Sequence, residues 1–221
     1  MRKAVIEPQD CPDVIPVFPL SGALLLPRGQ MPLNIFEPRY LAMVDAALKG
    51  ARMIGMVQPD PDHDTGKRSP ELAKVGCLGK IVQFAETGDN KYMITLAGVA
   101  RFRIAEELTS VTPFRQCRVD YEPFLQDFTE KTGEEEVDRA SVMKTLKDFV
   151  EANDLSIDWN GINSAGNETL VNALSMMAPF GAREKQALLE AQDLKTRADL
   201  LIAMTEFELA RGEDGSDAPL Q

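Results

Sequence analysis

Ser141 and Lys144 stand three residues apart in the run SVMK, a spacing that puts a hydroxyl and an amine on one helix face. The amine of such a pair can serve as base to the hydroxyl. Here the pattern is only four residues long, lies in a charged helical stretch, and lacks the SDN and KTG companions that accompany it in known nucleophiles. A Ser-His-Asp arrangement could draw only on His63, the single histidine of the chain. His63 sits in PDPDHDTGKRSPE, a turn-rich run that reads as surface loop. The same run sets Asp60, Asp62, Asp64 and Glu71 at the first, third, fifth and twelfth positions of a calcium loop. The glycine required at the sixth position is Thr65, and Pro59 and Pro61 break any helix leading in. A solvated acidic loop is the better reading. Gly66-Lys67-Arg68-Ser69 has the ending of a phosphate loop, but the glycine needed five residues earlier is Pro61. Cys11, Cys77 and Cys117 form no CxxC pair, and the last two fall in apolar strands, which predicts buried reduced thiols. No catalytic residue, metal ligand or cofactor site is therefore expected.

What remains is binding chemistry. Leu24, Leu25, Leu26 and Pro27 lie in a Pro/Gly loop, an unusual place for three leucines, and Met31 follows at its end. Further along, Met176, Met177, Pro179 and Phe180 cluster at a helix end. Methionine adapts to varied apolar partners, and an exposed apolar patch marks an interaction site. These nine residues are either a peptide- or partner-binding surface, or part of the core and the seam between the two halves.

The elements that would carry them follow from periodicity. Val14 to Leu20 is an apolar strand, Ser21 to Gln30 a loop, and Met31 to Phe36 a second strand. Glu37-Pro38 opens a helix, with proline near the first helical position where its missing N–H costs nothing. Tyr40, Leu41, Val44, Ala47 and Leu48 give that helix one apolar face. Strands are predicted over 52–57, 72–85, 91–96, 101–105 and 114–121, with a hairpin turn at ETGDN and a break at Gly98. From Gln126 the period becomes helical. Acids 134–136 suit a helix N-terminus, Val142, Leu146, Phe149 and Val150 form one stripe, and Leu170, Val171, Leu174 and Met177 another. Two more helices are predicted over 183–191 and 194–211, with 153–166 a break between helices. The organisation expected is a flexible lead-in over 1–12, a β-rich part over 13–125, a helical bundle over 126–211 and a disordered acidic tail over 212–221.

Bulk numbers bound the function. At 221 residues the chain can bury a real core. Its net charge of −11 argues against nonspecific nucleic-acid binding. The charge is uneven: the chain from Glu122 onward holds 21 acids and 9 bases, and the part before it is near neutral. No run approaches the roughly 20 apolar residues of a membrane span, and MRKAVIEPQDCPD does not read as a signal peptide. A cytoplasmic protein without membrane contact is expected.

Three separated motifs resemble one family. FPL, LLLP and PLNIFEPRY ahead of an amphipathic helix, then VGCLGKIVQFAETGDNKYMITLAGVARFRI, then EKQALLEAQDLKTRADLL, occur in the order found in the Lon N-terminal domain. That domain is the substrate-binding part of the ATP-dependent protease Lon; it also exists as a stand-alone protein and in cereblon. The resemblance covers nearly all the chain except the acidic tail. It implies an α+β fold, a twisted β-sheet or pseudo-barrel with one packed helix followed by a C-terminal helical bundle. It further implies a non-catalytic polypeptide-binding module without the ATPase and Ser/Lys protease parts, holding unfolded or apolar segments in a groove between sheet and bundle. An adaptor for a specific folded partner, Lon itself among the candidates, is the alternative; a hydrolase or peptidase is the weakest reading. Oligomeric state stays open.

Overall fold

The computed structural model describes residues 6–60, 70–154 and 156–215. Two compact units divide the chain. One ends at Glu130 and takes back Pro179–Leu189; the other is Lys131–Ala178 with the chain from Glu190 onward.

The first unit is built on six strands, β1 (Val14–Pro19), β2 (Gln30–Ile35), β3 (Met53–Val57), β4 (Val75–Thr87), β5 (Lys91–Leu108) and β6 (Arg115–Asp120). β1 lies parallel to β3 and antiparallel to β6, β3 pairs with β4, and β4 with β5. β5 is long enough to serve two partners along one edge: Tyr92–Ala97 pair with β2 and Arg103–Leu108 with β6. The ring β1–β3–β4–β5–β6 therefore closes on itself, and β2 extends the sheet beyond it. Register shifts at Leu78/Gly79, Ile81/Gln83 and Ile104/Glu106 supply the bends that closure requires. Ile15, Val17, Leu78, Ala100, Phe102 and Cys117 fill the interior.

Gly98 does not break the strand. β5 runs through it because the glycine admits a crossing backbone: a Cβ there would stand 2.0 Å from the Leu26 carbonyl oxygen. The Gly98 N–H donates to Gly29 O and the Arg28 N–H to Gly98 O, both at 2.8 Å. The Ser21–Gln30 loop is thus laid into the barrel, and Leu25 packs over Gly79.

Helix α1 (Pro38–Lys49) starts where Glu37 holds an extended backbone and Pro38 takes the first helical position. Its buried face is Tyr40, Met43, Val44 and Ala47, packed on β1 and β3, with the Tyr40 ring 4.3 Å from that of Phe18. Leu41 and Leu48, expected on that face, are only half-buried.

The second unit contains α2 (Arg139–Ala152), α3 (Trp159–Ser164), α4 (Asn167–Met177) and α6 (Leu194–Gly215); α5 (Ala182–Glu190) lies almost wholly in the first. Acids 134–136 form a separate 3-10 turn, and α2 begins later, where the Asp138 carboxylate accepts the Ser141 N–H at 3.1 Å. The break expected over 153–166 holds the short α3, capped by Asp158. Val142, Leu146, Leu170, Val171, Leu194 and Leu201 make the core of this unit. α6 continues four residues past the expected end at Arg211; residues 216–221 of the acidic tail lie outside the described residues.

Candidate polypeptide-binding surfaces

The nine residues singled out from sequence do not form one surface. Leu24, Leu25 and Leu26 are 2%, 1% and 0% exposed, and Pro27 is buried with them. Of the two readings left open for these four, surface or core, their burial supports the core: an apolar run in a loop that crosses Gly98 fills the barrel. Met31, opposite Leu96 on β5, is half-buried. Phe180 is buried and Pro179 exposed, both in the sheet unit. Met176 is half-buried in the helical unit. Met177 is 73% exposed, and it lines an apolar pocket.

That pocket lies within the helical unit and holds about 270 Å3. Val142, Leu146 and Phe149 of α2, Leu174 and Met177 of α4 and Leu201 of α6 line it. The stripes read from sequence on α2 and α4 account for five of these six. α6 contributes through a 22-residue helix whose register the sequence left open. Thr145 and Thr205 add hydroxyls to the lining, and Thr205 spends its own on Leu201 O at 2.7 Å. The walls can therefore take an aliphatic or aromatic side chain and offer little to a charged one.

A second depression lies within the sheet unit, between α1 and the β4–β5 hairpin. Its lining includes Phe36, a residue read from sequence as the end of a strand and here 64% exposed. The alternation of β2 could have flagged it: Leu33 and Ile35 turn inward while Pro32, Asn34 and then Phe36 are exposed.

The candidate chemical groups resolve into structural roles. The Ser141 hydroxyl donates to Asp138 Oδ2 at 2.7 Å, completing the start of α2. Lys144 is exposed and pairs with Asp148 at 3.6 Å. Neither is available to the other as nucleophile and base. His63, Asp62, Asp64 and residues 65–69 lie outside the described residues. The ends of their loop are tied where the Asp60 N–H donates to Glu71 O at 2.8 Å. Among the described residues no group of three or more His, Cys, Asp or Glu is placed to hold a metal ion. The three cysteines are free and buried, and burial pushes the Cys11 and Cys117 thiols up to about 11. They are packing residues.

One buried ionic group escaped sequence reading. Arg101, 1% exposed, donates from Nε to Asp127 Oδ2 at 2.8 Å and from Nη2 to Oδ1 at 2.9 Å. The Arg101 N–H adds a third bond to Oδ2 at 2.9 Å, Nη1 reaches Leu189 O at 3.2 Å, and the guanidinium lies 4.6 Å from the centre of the Phe124 ring. Full pairing inside the unit makes it an anchor for the 122–128 segment and for α5. Among the described residues no helix is long and apolar enough to cross a membrane.

Comparison with known proteins places this architecture. The model of the ATP-dependent protease La (LON) substrate-binding domain matches residues 14–206. Lon protease 2 of Myxococcus xanthus is 27% identical over 209 residues, covering 90% of this chain and 24% of its own. Lon protease 2 of Sorangium cellulosum is 28% identical over 207 residues, covering 89% and 25%. The chain thus spans about a quarter of the length of these curated relatives. Among solved structures, the Lon N-terminal domain protein from Xanthomonas campestris superposes with a TM-score of 0.62 at 20% identity, over 86% of this chain and 97% of that one. The N-terminal domain of the Mycobacterium avium complex Lon protease gives 0.63 at 17% identity, over 87% and 98%. At those identities the likeness is one of fold.

Proposed function

The chain belongs to the family of the Lon substrate-binding domain, a non-catalytic module, and from that premise we propose that it binds unfolded or apolar polypeptide segments without ATP. The observation that carries this reading is the open apolar pocket of the helical unit with Met177 standing exposed at its lining. Met177 does not stand alone there: it continues an apolar lining, and a contiguous exposed apolar patch is what marks an interaction site. Methionine suits a site that must accept many sequences, because its unbranched side chain reshapes to each. Burying one Leu or Phe side chain contributes about 1.5–3 kcal/mol. A single pocket of this size therefore holds a segment weakly and releases it quickly, as a module that samples many clients requires.

The test mixes the protein with a fluorescent, permanently unfolded polypeptide, reads anisotropy without nucleotide, and follows with a gel. Raised anisotropy with intact polypeptide is expected. Met177→Asp should weaken that binding about ten-fold, equivalent to about 1.4 kcal/mol, while leaving the thermal transition in place because the side chain is mostly exposed. Unchanged affinity in that variant would remove the pocket from the reading. Fragments on the gel would overturn the non-catalytic assignment. Binding confined to one folded protein, with no affinity for the unfolded chain, would favour an adaptor instead.

A further inference from the structure

Phe36 is the one aromatic residue among the exposed large hydrophobics that the described part of the sheet unit presents. It follows directly on β2 and precedes the proline that starts α1. With Leu41 of α1 and Tyr92 of β5 it gives an apolar side to a groove of about 780 Å3. Tyr92 is fixed there: its hydroxyl donates to Asp45 Oδ1 at 3.0 Å, and its ring meets Phe84 edge-on at 5.0 Å. The groove is thus partly pre-formed on rigid elements.

Its charged lining is unbalanced. Asp45, Glu86 and Asp89 face Lys91, the one cation among the described lining residues. No salt bridge among the described residues engages Glu86 or Asp89. Asp89 and Asn90 carry the hairpin turn at positive φ (70° and 54°), which sets Asp89 at the groove. A neutral apolar ligand would leave these carboxylates unused. A guanidinium or ammonium beside an apolar side chain uses both halves of the lining: arginine can lie over the Phe36 ring and bond the carboxylates with charge assistance. The neighbouring sheet edge does not compete as a backbone template. Pro32 sits in the middle of β2 and offers no N–H, so an added strand would miss a hydrogen bond there. Recognition in this region falls to side chains.

We infer that this groove binds short polypeptide segments in which an aromatic or aliphatic residue is flanked by arginine or lysine. The inference rests on the reading that the chain binds polypeptide segments, and it names a class of segment and a second place for it.

The experiment uses a fluorescein-labelled peptide with an Arg-Phe-Arg centre between Gly-Ser ends, and matched peptides with Glu-Phe-Glu and Arg-Ala-Arg centres. The full chain should bind Arg-Phe-Arg at least ten-fold more tightly than either, with affinity falling as salt rises. Phe36→Ser should lose at least ten-fold, Glu86→Gln with Asp89→Asn should lose several-fold and flatten the salt dependence, and Met177→Asp should change nothing. Phe36→Trp combined with Trp159→Phe leaves one indole, at the groove, and its emission should shift as the Arg-Phe-Arg peptide saturates. Equal binding of the Arg-Phe-Arg and Glu-Phe-Glu peptides, or saturation with no shift in that emission, overturns the groove. If the unfolded polypeptide binds and the Arg-Phe-Arg peptide does not, the groove falls and the general reading stands. If neither binds, both fall.

Discussion

Arg101 shows what a single buried charge can contribute to the architecture of the sheet unit. A charge with 1% of its surface exposed survives only when it is well paired, and its five bonds and contacts join β5 to the 122–128 segment and to α5. The pair with Asp127 is not itself a source of large net stability, because desolvating both groups offsets much of their attraction. Breaking it is another matter. Asp127→Ala leaves a buried guanidinium without its counter-ion and should cost about 3–5 kcal/mol, seen as a lower denaturant midpoint with the same slope. A change of under about 1 kcal/mol, the range of exposed pairs, would mean that water reaches the site. The exposed Glu37–Arg39 pair at 2.9 Å offers the contrast within the same unit. Its arginine lies over Tyr40, so it trims the start of α1 while contributing little to the stability of the unit.

The leucine-rich loop reveals how elements decide what residues cannot. Three consecutive leucines outside any strand or helix satisfy every composition rule for an exposed apolar patch. Their fate is set by glycines on other strands, Gly79 and Gly98, which leave the room that the loop fills. A residue pair separated by more than fifty positions is invisible to local periodicity, so the patch and the core could not be told apart beforehand. Local signals were enough elsewhere. Apolar runs gave the strands, Pro38 gave the start of α1, and the stripe Val142–Val150 gave the pocket wall on α2, because each depends only on neighbours in the chain. Phe36 was missed for the opposite reason: it continues an apolar run in sequence, while the alternation of β2, which buries Ile35 and exposes Asn34, turns it outward. The close approach at Gly98 makes a sharp prediction. Gly98→Ala places a methyl carbon where the Leu26 carbonyl already lies, and the obstacle is backbone, which cannot rotate away. The loss should be at the upper end of the 1–3 kcal/mol of an overpacked core, or beyond it, read as a reduced melting temperature. An unaltered melting temperature would show that the loop is not seated in the barrel.

At the scale of the whole molecule, chain order and structural unit part company. α5 lies between two helices of the second unit in sequence, and nothing in its periodicity distinguishes it from them. Its hydrogen bonds do. Gln58 Nε2 donates to Ala182 O at 3.0 Å and to Gln186 Oε1 at 3.1 Å, Gln58 Oε1 accepts the Gly22 N–H at 2.9 Å, and Gln186 Nε2 donates to Val75 O at 3.2 Å. Leu188 and Leu189 are buried beside this network, and Leu189 O takes Arg101 Nη1. Residues 13–130 alone therefore lack part of their own unit. Removing α5 takes away apolar cover of about 1.5–3 kcal/mol per leucine and exposes or orphans the partners of Gln58, Val75 and Arg101, each at about 1–3 kcal/mol where water cannot replace the bond. Set against the 5–15 kcal/mol that holds a typical domain together, that loss is large enough to abolish a stable fold. The expected outcome is that residues 13–130 show no cooperative thermal transition, and that joining 179–190 to their end through a flexible glycine-serine linker restores one. A sharp transition in the shorter chain, unmoved by the added helix, would make α5 an appendage and would detach the Gln58–Gln186 network from the stability of the barrel. Restoration would show that the first unit closes only once α5 is present, a helix that the chain supplies after α2, α3 and α4, which the barrel itself does not need.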